Sequence, residues 1–82
     1  MATITEVSTI QDGDMRRRVY GIRNGEKVLL GWTEKWHQTD AVNKTGIKRF
    51  AARPAGNENS GRLDCETLQS AIGFLVGYWE AL

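Results

Sequence analysis

The chain carries a single cysteine, so no internal disulfide can staple the fold, and a reducing, cytoplasmic setting is the expectation. It also carries a single histidine, His37, twenty-eight residues from Cys65. A metal site needs three or four ligands at workable spacing, so no metal is expected. A nucleophile needs a base held within hydrogen-bond reach. Nothing in the spacing of His37 or Cys65 enforces that. No GxxxxGK[ST] follows a strand pattern, so no phosphate cradle is expected either. These gaps argue against an enzyme and against any cofactor. Long apolar runs are missing as well. No window approaches the ~20 residues that span a bilayer, and MATITEV lacks the basic-then-apolar layout of a signal peptide. No membrane partner is expected.

Cations are missing from both ends of the chain. All eleven Lys and Arg fall between Arg16 and Arg62, against only Glu26, Glu34, Asp40 and Glu58, for a local net charge of +7. The first fourteen residues carry −3 and the stretch from Leu63 carries −3, leaving +1 overall. A basic middle between acidic ends is either an electrostatic footprint for a partner or a fold that neutralises itself. With 82 residues, the chain has room for one small domain, residues 1–82, with one thin core.

The clearest local signal is Asn24-Gly25. This dipeptide supplies the two positive-φ positions of a type I′ hairpin turn. A regular ladder from that turn pairs Arg23 with Glu26, Gly21 with Val28, Val19 with Leu30 and Arg17 with Trp32. That register puts Val19, Val28, Leu30 and Trp32 on the core face, with Arg17 over Trp32 as a cation–π pair. The opposite face then holds Arg16, Arg18, Tyr20 and Ile22 against Lys27, Leu29, Gly31 and Thr33. Thr3 to Ile10 reads as a strand, and so does Ile47 to Arg53, placed near an edge because Pro54 ends it. Residues 36–46 have no clean period and read mainly as a loop. Gly56 to Gly61 reads as a polar connector.

Asp64 to Leu82 reads as one helix with Asp64 as its N-cap. Leu68, Ile72, Leu75 and Trp79 form one apolar stripe; Ala71, Phe74, Tyr78 and Ala81 form a second. Cys65 falls in the first helical turn, where it reads best as a small buried apolar residue. The expected architecture is α+β: an antiparallel sheet of three to four strands with the C-terminal helix packed on one face. That order is too common to identify a family.

Two surfaces stand out as contact candidates. The basic face gathers Arg16, Arg18, Tyr20 and Lys27, with Lys48 and Arg49 as extensions. The helix places Gly73, Phe74, Gly77 and Tyr78 together, where either the glycine backbone lies tightly on the sheet or a second copy of the chain crosses to form a homodimer. The leading expectation is a small non-enzymatic inhibitor or adaptor that binds a protein partner through its sheet face or helix, a profile common among proteins of phage and mobile elements. The alternative is a small nucleic-acid-binding domain that uses the basic hairpin face. Stacking platforms need several exposed aromatics, and the regular register places only Tyr20 there.

Overall fold

The Asn24-Gly25 turn forms as its dipeptide predicts, with φ of 52° and 79°. The computed structural model describes residues 3–38 and 47–82. Its strands are β1 (Thr5–Gln11), β2 (Arg16–Arg23), β3 (Glu26–Gln38), β4 (Ile47–Pro54) and β5 (Arg62–Cys65), followed by the helix α1 (Leu68–Glu80). The strands lie in sequence order in one antiparallel sheet. The α+β class with a C-terminal helix stands, but the sheet has five strands instead of three to four.

The fifth strand takes in Asp64 and Cys65, the residues expected to begin the helix. Phe50 pairs with Cys65 and Ala52 with Arg62, so sheet pairing takes the backbone groups of this segment. Asp64 is therefore no N-cap. Its carboxylate accepts from Arg62 Nε at 2.9 Å. The cap is Thr67, whose Oγ1 accepts the Ser70 N–H at 3.0 Å. Cys65 ends β5 and does not sit in a helical turn. β4 lies next to the edge strand, between β3 and β5, and Pro54 is its last residue, opposite Gly31. Trp36 belongs to β3 and not to a loop. The remainder of that expected loop, 39–46, lies outside the described residues.

One irregularity reorganises the sheet. Arg23 pairs with Glu26 and Gly21 with Val28, as a regular hairpin requires, and Tyr20 then pairs with Leu29. Val19, however, pairs with Gly31 and not with Leu30. One extra residue is accommodated in β3, which makes a β-bulge. Beyond it every side chain of β3 lands on the face opposite to the regular one. Trp32 now lies beside Arg18, and Thr33 beside Arg17. The expected core position of Trp32 is thus overturned. Thr33 is the buried residue, 2% exposed.

Gly31 makes the bulge sterically workable. Its φ is +153°, and a Cβ there would run into the Arg53 carbonyl of β4. The bulge also withdraws the Leu30 carbonyl from the regular ladder. That oxygen accepts the Ala55 N–H at 3.0 Å and the indole Nε1–H of Trp79 at 2.7 Å. The helix is thereby tied to the sheet at the bulge.

The core is Ile4, Val19, Leu30, Ala52, Cys65, Ala71 and Leu75, with Val28, Phe50, Ile72, Phe74, Val76 and Trp79 packed round it. Ala71 and Leu75 form the innermost line of α1. Gly73 and Gly77 follow each by two residues, about 200° round the helix, so they face outward. A Cβ at either glycine would meet nothing within 4 Å, which overturns the expectation that they lie against the sheet. The Ile4 N–H donates to Glu80 Oε2 at 2.9 Å, closing the start of the sheet onto the end of the helix.

Gly31→Ala is expected to lower stability by about 2–4 kcal/mol, from positive-φ strain plus the collision with β4. Urea unfolding reads this as a lower midpoint at unchanged slope. Trp79→Phe keeps most of the ring but loses the bond to the Leu30 carbonyl, and the same measurement should show a loss of about 1 kcal/mol.

The open sheet face as a candidate binding surface

The helix packs over β3, β4 and β5 on one side of the sheet. Among the described residues no element lies over the other side. Strand alternation decides what that open face presents. From β2 come Arg16, Arg18, Tyr20 and Ile22. From β3 come Lys27 and Leu29 before the bulge and Trp32, Glu34 and Trp36 after it. β4 adds Arg49, Ala51 and Arg53, and β5 adds Leu63.

Of the residues expected to bind a partner, Arg16, Arg18, Tyr20, Lys27 and Arg49 share this face. Lys48 does not. It alternates to the helix side, with Nζ 5.8 Å from the ring centroid of Phe50, which packs against the core. Arg17 also lies on the helix side, beside Thr33. The cation–π partner of Trp32 is therefore Arg16, its guanidinium carbon 4.9 Å from the ring centroid. Sequence reasoning missed Trp32, Trp36, Glu34 and Arg53. A usable signal was present: Gly31 inside a strand pattern is a marker of a bulge, and a bulge there moves both tryptophans to the basic side.

The cross-strand pairs describe the centre of the face. Trp32 lies between Arg18 on β2 and Arg53 on β4, under Arg16. Lys27 Nζ sits 4.8 Å from the Tyr20 ring centroid. Arg18 donates to the Tyr20 hydroxyl at 3.3 Å and holds Asp12 at 3.6 Å, a charge pair too long for a hydrogen bond. Arg53 Nε donates to Glu34 Oε1 at 3.2 Å. Both ion pairs are more than a third exposed, so each contributes little to stability. Their effect is to orient cations round the indole. Trp36 is fixed separately: its Nε1–H donates to the Leu63 carbonyl at 2.8 Å.

The helix surface offers less. Phe74 packs against the core and Tyr78 accepts from Asn57 Nδ2 at 2.8 Å, so both aromatics of the expected dimer stripe have contacts within the chain. Gly73 and Gly77 remain exposed with no side chain to anchor a partner. No helix among the described residues is long and apolar enough to cross a membrane.

Cys65 is buried, and burial pushes its thiol pKa up, with Arg62 opposing and Asp64 adding to the shift. His37 is exposed on β3, opposite Lys48. Among the described residues no three His, Cys, Asp or Glu side chains gather as a metal site. A raised pKa and burial both suppress thiolate attack. Cys65 should therefore react with Ellman's reagent at pH 8 at least about tenfold more slowly in the native protein than in urea, as read by absorbance.

Comparison of the chain with protein-family models, with curated proteins and with solved structures returns no match.

Proposed function

We propose that the protein is a non-enzymatic binding protein and that its open sheet face holds single-stranded nucleic acid. The observation that carries this reading is the company Trp32 keeps. An indole on the sheet face opposite the helix lies among Arg16, Arg18 and Arg53, with Tyr20 and Lys27 on one side and Trp36 and Arg49 on the other. Bases stack on aromatic faces while Arg and Lys hold phosphate, and such platforms tolerate any sequence because every base has a π-face. The regular hairpin register offered one aromatic for this purpose; the bulged one offers Tyr20, Trp32 and Trp36. Arg16, Arg18, Lys27 and Arg49 are the cations available to phosphate; Asp12 beside Arg18 and Glu34 paired with Arg53 are carboxylates at the same surface.

A protein partner is the second reading. Trp, Tyr and Arg are the residues that dominate protein–protein hot spots, and Trp32 and Tyr20 are half-buried, as such anchors are. In this reading the face takes an acidic surface of the partner, and the protein acts as an inhibitor or adaptor.

Salt separates the two. Neutralising four phosphates of a single strand gives a slope of about −0.7 per phosphate on a log–log plot, so affinity for a fluorescent dT oligonucleotide should fall roughly 50-fold between about 50 and 200 mM salt. Trp32→Ala should weaken that binding by about 1–3 kcal/mol, the usual contribution of one stacked base. Arg18→Glu should weaken it while changing stability by about 0.5 kcal/mol or less. If no single-stranded DNA or RNA binds at low salt, the nucleic-acid reading fails and the protein-partner reading replaces it.

A further inference from the structure

We propose that the cleft beside Trp36 is a pocket for one guanine base of the bound strand, selected by Glu34 and Arg53. The inference rests on the single-strand reading of the open face and adds a base preference to it. The cleft is lined by Glu34, Trp36, Ala51, Arg53 and Leu63, with a volume of about 350 Å³. That lies at the small end of the range for ligand pockets, about 300–1,000 Å³. Its wall is mainly apolar, and its polar groups gather on one side.

The placement follows from the strands. Ala51 is the small residue between Glu34 on β3 and the β5 edge, so the sheet is low there. Trp36 and Leu63, the latter 52% exposed, line the cleft beside it. The indole is locked before any ligand arrives, because its N–H is held by the Leu63 carbonyl at 2.8 Å. A locked ring loses little freedom when a base stacks on it.

The polar side of the cleft is a matched pair. Glu34 Oε1 accepts from Arg53 Nε at 3.2 Å, which fixes the carboxylate plane. An ionised carboxylate has about four acceptor sites over its two oxygens, so it can take two further donors. Guanine presents two adjacent donors on its Watson–Crick edge, N1–H and N2–H, beside the acceptor O6. The carboxylate suits the donors and the Arg53 guanidinium suits O6. Adenine, cytosine and thymine each present one donor position on that edge, so none can engage both carboxylate oxygens. A bidentate pair discriminates between bases by roughly 5- to 150-fold.

The test uses the full chain and dT 12-mers with one central dG, deoxyinosine, dA, dC or dT, read by fluorescence anisotropy, with the matching ribo-oligonucleotides as a second arm. One guanine per strand avoids self-association of G-rich DNA. The expected result is tightest binding to the dG strand, by at least about fivefold over dT. Deoxyinosine, which lacks the N2 amine, should fall between the two. Glu34→Gln should bring the ratio of dG to dT affinity down to about one, whatever the loss of the carboxylate does to affinity for both strands. The deoxyinosine comparison needs no protein variant, so it stands even if Glu34→Gln folds poorly. Equal affinity for all five strands overturns the pocket and leaves the sheet-face reading intact. No binding to any strand overturns both. A preference confined to the DNA or the RNA arm identifies the natural strand.

Discussion

One extra residue in β3 governs this protein. Without the bulge at Leu30–Gly31, the ladder begun at Asn24-Gly25 would carry Trp32 into the core and leave Thr33 on the open face. With it, the hairpin is regular for its first four pairs and inverted thereafter. Three consequences follow from the same change. Thr33 fills the buried position, the tryptophans of β3 join the arginines on the face opposite the helix, and the Leu30 carbonyl becomes the anchor for Trp79. A bulge breaks the ladder locally and re-aims the side chains beyond it. Here it separates a packing face from an open face within one strand.

The two faces divide the chemistry of the chain. The packing face is built from small and medium apolar residues, Val19, Leu30, Ala52, Cys65, Ala71 and Leu75, close enough for the helix to lie directly on the sheet. The large aromatics are placed round that centre or on the far side. Trp79 bridges helix and bulge through its indole N–H, while Trp32 and Trp36 stand among charged side chains. An amphipathic ring suits both settings, since it combines a large apolar surface with one polar edge.

The open face is also ordered before it meets anything. Arg53 is oriented by Glu34, Arg18 by Tyr20 and Asp12, Trp36 by Leu63, and Arg16 by the Trp32 ring itself. Each contact is weak singly, being largely exposed. Together they hold long side chains near one geometry, so a partner docking there would cost less ordering entropy. This is the physical basis for reading the face as a prepared surface and not as an ordinary solvated one.

The residues themselves determined a good part of this. Asn24-Gly25 specified the hairpin and its first pairs, because only a few dipeptides accept two positive φ values. The rhythm of Leu68, Ile72, Leu75 and Trp79 specified a helix, though its buried line, Ala71 and Leu75, takes one residue from each expected stripe, and strand alternation placed Arg16, Arg18, Tyr20 and Lys27 together. Tertiary structure alone decided the rest. Cys65 reads equally well as a helical turn or a strand until β4 offers it a partner. Gly73 and Gly77 have no side chain to reveal which way they face until Ala71 and Leu75 meet the sheet. The face of Trp32 depends on whether β3 holds one residue too many for its neighbours, a mismatch that exists only between strands: the bulge needs the Arg53 carbonyl to lie close enough that only glycine fits opposite it.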